Sequence, residues 1–147
     1  MDKELQEMLY EMTEIVEKNS KELTSKELLQ VRELNKLQKY LEEHDYVILR
    51  EDKYHPVPIP IMSHQIIVFH NEEDRNLWLI DEIDRRAWDV VCHDRSLGGK
   101  QGLLEIMNGA DKIIEEQQLT DNIKGYLTAE DVIKILEDYK KENKIWQ

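Results

Sequence analysis

The chain of 147 residues has a single cysteine, Cys92, one phenylalanine, Phe69, only five glycines and three prolines, and aromatic residues make up 7% of it. One cysteine excludes an internal disulfide and a multi-cysteine zinc site. Its neighbours, Val91 and the Val90 before it, put Cys92 in an apolar context, and a buried thiol in a reducing compartment fits. No apolar run approaches the length of a membrane span, and the opening stretch "MDKELQEMLYEM" is too charged for a signal peptide. A cytosolic protein is therefore expected. Positive charge is the other scarcity: 20 Lys and Arg face 32 Asp and Glu, a net charge of -12. Direct binding to nucleic acid or to an anionic membrane is not expected, because phosphate binding needs clustered cations. The excess suits a basic protein surface as partner.

What is present is a helical beginning and a mixed remainder. Leu5, Met8, Leu9, Met12, Ile15 and Val16 recur at helical spacing, which predicts an amphipathic helix over about 2–18. Its outer side carries an acidic stripe of Glu4, Glu7, Glu11 and Glu14. A second helix is expected over about 25–43, with Thr24 and Glu27 at capping-box spacing and Val31, Leu34, Leu37 and Leu41 on one face. The two would form a helical hairpin, residues 1–44, packed on or projecting from an α+β domain over 45–147. The same apolar stripe could make a homodimer.

Beyond residue 44 the period changes. Tyr46 to Arg50 reads as a strand, closed by Glu51, Asp52 and Lys53 as a turn. Pro56, Pro58 and Pro60 alternate, which marks an edge or a polyproline-like passage to the next strand. Ile66 to Phe69 is the densest apolar run, a strand with both faces covered. Asn71 followed by Glu72, Glu73 and Asp74 is a helix start, and the helix is expected to run to about Arg86, with a hairpin as the alternative. Trp88 to His93 reads as a strand, and the following glycines as a turn. Leu103 to Met107 fits either helix or strand. Ala110 to Leu119 reads as a short helix, and Thr128 with Asp131 caps a last helix whose inner face is Val132, Ile135, Leu136 and Tyr139. Ile145 and Trp146 are expected to dock back onto the domain. The fold class is α+β, with a small, mainly antiparallel sheet and flanking helices.

Signals for chemistry are weak. Around Gly125 the chain has the outline of half a calcium loop, but Lys124 would stand among the ligands and Asp131 where a bidentate Glu is needed. His64 and His70 share a strand face yet lie about 20 Å apart at roughly 3.3 Å per residue, too far for one metal. Cys92 and His93 are neighbours on a strand, so they point to opposite faces and cannot form a nucleophile–base pair. No cofactor, no metal and no catalytic residue is expected. A small metal-dependent hydrolase using His70, His93 and Asp94 is the alternative reading, and an assembly protein dimerising through its N-terminal helices is another.

The stretches "AWDVVCHDRSLGGKQGLLEIM" and "GYLTAEDVIKIL" resemble small uncharacterised acidic proteins of phages and prophages of Gram-positive bacteria, over the C-terminal 60 residues or so. The resemblance implies context rather than chemistry: such proteins often bind and block a host enzyme, CRISPR nucleases included, in the host cytoplasm. Together with the charge, it leads to the expectation of a non-enzymatic inhibitor of a host protein that handles nucleic acid. Carboxylates on regular elements can stand in for a row of phosphates. The expected contact acids are Glu7, Glu11 and Glu14 on the first helix and Glu72, Glu73 and Asp74 at the start of the later one.

Overall fold

The computed structural model describes residues 28–58, 60–114 and 122–143. Their elements are helix α1 over 28–43, strand β1 Val47–His55, strand β2 Ile61–Phe69, helix α2 Glu72–Asp81, strand β3 Trp88–Cys92, a 3-10 turn Gly99–Gln101, strand β4 Leu104–Asn108, strand β5 Ile123–Leu127 and helix α3 Ala129–Asn143. The five strands form one antiparallel sheet in the order β1-β2-β3-β4-β5, so the fold is α+β as the sequence suggests. The helix expected over 2–18, the Thr24–Glu27 cap, Ile59 and the docked tail lie outside the described residues.

The sheet has two unlike faces because strand side chains alternate. On one face Ile66 and Val68 of β2, Trp88, Val90 and Cys92 of β3, and Leu104 and Ile106 of β4 join a single buried cluster. Leu34, Leu37 and Leu41 of α1 and Val132 and Leu136 of α3 complete it. The helical spacing of those leucines sets them on one stripe, and that stripe meets the sheet. Of the two arrangements open to the helical beginning, packed or projecting, α1 is therefore packed. On the opposite face Ile67 and Phe69 are also buried, and Phe69 meets Trp78 of α2 edge to face with ring centroids 6.2 Å apart. The continuous apolar run of β2 is thus covered on both sides, as its composition requires.

Local chemistry sets the ends of the helices. α1 stops where Asp45 takes a left-handed conformation (φ 62°) and the Tyr46 N–H donates to Leu41 O at 3.0 Å. Asn71 caps α2 by accepting the Asp74 N–H at 2.8 Å, with Glu72, Glu73 and Asp74 in the positive first turn. α2 ends at Asp81, not near Arg86: Glu82 turns left-handed (φ 54°) and the Ile83 N–H closes back on Leu77 O at 3.2 Å. Thr128 and Asp131 form the reciprocal cap of α3, Thr128 N–H to Asp131 Oδ2 at 3.0 Å and Asp131 N–H to Thr128 Oγ1 at 3.1 Å.

Two further expectations are corrected, the turn at Glu51 to Lys53 and the helix from Ala110. Glu51, Asp52 and Lys53 are not a turn; β1 continues through them to His55. An edge strand tolerates charge, and here Lys53 pairs with Glu51 at 3.0 Å and Arg50 with Asp52 at 3.2 Å. The prolines lie in the β1–β2 connection, where the Val57–Pro58 peptide is cis. Residues around Gly125 form β5, with a register shift against β4 between Leu104 and Ile106 and a left-handed Tyr126 (φ 58°). Ala110 to Ile114 is irregular rather than helical, held by the buried Asn108, whose Oδ1 accepts the Ile114 N–H and whose Nδ2 donates to Ile114 O, both at 3.1 Å. Gly98 (φ 87°) and Gly102 (φ 76°) bracket the 3-10 turn. A Cβ on Gly102 would stand 2.5 Å from Leu29 O, so this glycine also lets the turn close against α1.

Candidate interaction surface

α2 is the one described helix that has no buried residue. Leu77 and Trp78 are half-buried against the sheet, whereas Leu79 is 54% exposed, Ile80 76% and Ile83, just past the helix, 42%. Three aliphatic side chains together in water are unusual on a surface helix that has a core to pack against. They are bracketed by carboxylates. Glu72 and Glu73 lie exposed at the start of the helix, and Asp81, Glu82 and Asp84 lie exposed at its end. Between α2 and β1 runs a groove of about 400 Å³ lined by Glu51, Lys53, Trp78, Leu79 and Glu82. The indole and leucine give it an apolar wall, Glu51 and Glu82 supply negative charge, and Lys53 is already occupied by Glu51. A lysine or arginine side chain would find an aromatic face and carboxylates there together.

The acids predicted from sequence are distributed as follows. Glu72 and Glu73 are on this surface, Glu72 with Arg75 at 3.6 Å. Asp74 points elsewhere: it is half-buried, 3.8 Å from Arg85, and lines a second cleft. Glu7, Glu11 and Glu14 lie outside the described residues. Leu79, Ile80 and Ile83 were legible as apolar letters, but only the short reach of α2 over the sheet shows that they stay uncovered.

The structure does not bring His70, His93 and Asp94 together. β2 and β3 are antiparallel with His64 opposite Cys92, so His70 and His93 fall at opposite ends of the sheet. Asp94 accepts a hydrogen bond from Gln30 Nε2 at 2.6 Å. His70 pairs with Asp111 at 2.8 Å in a cleft of about 440 Å³ that Asp74, Asp84, Arg85 and Arg86 share. Among the described residues no group of three or more His, Cys, Asp or Glu could hold a metal ion.

Two polar side chains of the sheet, His64 and Asp89, are buried. Asp52, His64 and Cys92 stand in one row across β1, β2 and β3. His64 Nδ1 lies 2.6 Å from Asp52 Oδ1, and its buried Nε2 has no hydrogen-bond partner among the described residues. Burial works to raise the Asp52 pKa, but the His64 hydrogen bond and the Arg50 guanidinium outweigh it and hold the carboxyl below its ordinary value. The row has the outline of a Cys-His-Asp nucleophile site, but the thiol is not activated. Burial, with a smaller push from Asp94, raises Cys92 to about 11, and its thiol hydrogen points to Gly99 O at 3.8 Å. On the other face the Asp89 carboxyl is buried, accepts from Gln65 Nε2 at 2.9 Å, and stands 3.7 Å from Arg86 Nε. Burial outweighs these partners and raises its pKa.

Comparison with protein-family models, with curated proteins and with solved structures finds no match for the chain.

Proposed function

We propose that this protein acts without catalysis, by docking its α2 surface on a partner protein whose basic rim surrounds an apolar centre. The observation that carries the reading is α2 itself, which keeps Leu79, Ile80 and Ile83 in water between two groups of carboxylates. An apolar centre with a charged rim is the usual composition of an interface, with the energy in the centre and the orientation in the rim. The net charge of -12 steers the chain toward such a partner. In the setting the phage resemblance suggests, the partner is a host protein with a nucleic-acid-handling surface, such as a nuclease of a defence system, and binding blocks that surface.

The test is capture of partners on the immobilised chain at low and high salt. The expected result is one basic protein, retained at low salt, released at high salt and not retained by the Glu72→Lys/Glu73→Lys/Glu82→Lys variant. Capture that ignores both salt and charge reversal contradicts the proposal. The described residues contain no helix long and apolar enough to cross a membrane.

A further inference from the structure

At the sheet end away from α2 and His70, a smaller cleft opens between the β1–β2 connection and the loop after β3. Its volume is about 230 Å³, and His55, Val57, Ile61, Ser63, His93 and Arg95 line it. In a chain with 32 acids to 20 bases, a cleft lined by two histidines and an arginine and, among the described residues, by no carboxylate is against the composition. The fold produces it from register. His55 is opposite Ile61, and Lys53 is opposite Ser63, with Lys53 itself held by Glu51 at 3.0 Å. The loop then brings Arg95 round beside His93.

His93 is aimed by its own loop. The Arg95 backbone N–H donates to His93 Nδ1 at 3.1 Å, so a neutral ring carries its proton on Nε2 and Nε2 is a donor. The His93 N–H and O are both held by Ser96 Oγ, at 2.9 Å and 2.8 Å. The donors in reach of the cleft are thus an imidazole N–H, a guanidinium, a second imidazole and the Ser63 hydroxyl, while Val57 and Ile61 supply an apolar side. Pockets for drug-sized ligands begin at about 300 Å³, so this one suits a smaller molecule. A guanidinium and imidazole N–H groups that converge with a hydroxyl match the oxygens of a tetrahedral dianion.

We infer that this cleft binds the phosphate of a small phosphomonoester, with His93, Arg95, His55 and Ser63 around the phosphate and the organic group on Val57 and Ile61. The site is separate from the α2 surface, and the inference does not depend on the proposed docking. The groups acting on the His93 charge are Glu105 from β4, Asp94 and Arg95 from its own loop, and His55 from β1. Burial leads in lowering the His93 pKa, His55 and Arg95 lower it further, and Glu105 and Asp94 oppose them. The lowered pKa keeps the ring neutral near pH 7, so His93 offers its Nε2–H to the phosphate while Nδ1 stays on the Arg95 N–H.

The test is an NMR titration of the full chain with phenyl phosphate, inorganic phosphate and sodium chloride at matched ionic strength. Phenyl phosphate is expected to shift the resonances of the cleft residues saturably, His93 among them, leaving those of His70 in place. Burial of roughly 50 Å² of its ring makes it bind about tenfold tighter than inorganic phosphate. Arg95→Gln, at an exposed position, is expected to weaken it about tenfold, the value of one charge-assisted hydrogen bond, with an unchanged circular dichroism spectrum. Equal shifts from chloride, equal affinity for both phosphates, or unchanged binding by the folded Arg95→Gln variant would each overturn the inference.

Discussion

Glu33 offers the sharpest test of how the helices are held. It is a buried carboxylate on α1, and its Oε1 accepts the Ala129 N–H at 3.1 Å, at the first residue of α3, 96 positions away. It therefore caps a helix on which it does not lie. Lys36 Nζ at 3.2 Å and Arg32 Nε at 3.5 Å face its other oxygen. Glu33→Gln keeps the size and an acceptor but removes the charge. It loses a favourable interaction with the α3 dipole and two exposed ion-pair partners, about 1 kcal/mol in all. Glu33→Ala also leaves the buried Ala129 N–H without a partner, which brings the loss to about 3 kcal/mol. Each kcal/mol corresponds to about 3 °C in Tm at this chain length. The pH dependence supplies a second check. Burial raises the Glu33 pKa, but the Ala129 hydrogen bond, Lys36 and Arg32 together hold it below its ordinary 4.5. A lowered folded-state pKa gives stability that is present above the unfolded value and lost as pH falls through the folded value. In urea titrations the gap between wild type and Glu33→Gln should be open at pH 7 and should narrow as pH falls below the ordinary 4.5 and through the lowered folded value. Coincident curves at pH 7, or a gap that does not narrow in acid, would refute the assignment of Glu33 as the α3 cap.

Leu37→Ala removes a fully buried side chain between α1 and the sheet, so chemical denaturation should show a loss of about 2–5 kcal/mol; a loss below 1 kcal/mol would mean that α1 is not part of the core. With its thiol pushed up to about 11, Cys92 has about one thiolate in a thousand at pH 8, so a thiol reagent should label the native chain far more slowly than the urea-unfolded chain. Asp89 has the opposite sign to Glu33. Its folded pKa is raised, so the ionised group costs stability at neutral pH and that cost disappears as pH falls below the folded value. Asp89→Asn should therefore be more stable than wild type at pH 7, with the advantage shrinking in acid, as read by Tm against pH.

Local signals in the sequence were faithful where one residue or its near neighbours decide the outcome. Asn71 and the Thr128–Asp131 pair cap as their spacing implies, because the bonds span three residues. The run Ile66 to Phe69 announced a strand covered on both faces, and Leu34, Leu37 and Leu41 announced the buried stripe of α1. Signals failed where pairing across the chain decides. Lys124, Gly125 and Tyr126 do not look like a strand, and β5 exists because β4 offers it an edge and the Tyr126 N–H reaches Leu97 O at 3.1 Å. Glu51 to Lys53 looks like a turn until their charges are seen to pair along an edge strand. Of the two acidic groups chosen from sequence, Glu72 and Glu73 face outward, while Asp74 is taken up by Arg85. The row of Asp52, His64 and Cys92 and the His93 cleft follow from sheet register, which alternation alone does not fix, and the Glu33 cap follows from how α1 meets the start of α3.

The outward face of α2 is the proposed partner surface, and its apolar centre is the most direct place to test that role. Ile80→Asp changes an exposed residue, so it should leave Tm within the scatter of surface substitutions, about 0.5 kcal/mol in stability. If Ile80 enters a partner's apolar pocket, losing that burial costs about 2 kcal/mol or more, and retention of the captured partner should fall about thirtyfold. Loss of capture by a fully folded Ile80→Asp chain is the predicted result. Capture at wild-type strength by that folded variant would contradict the account.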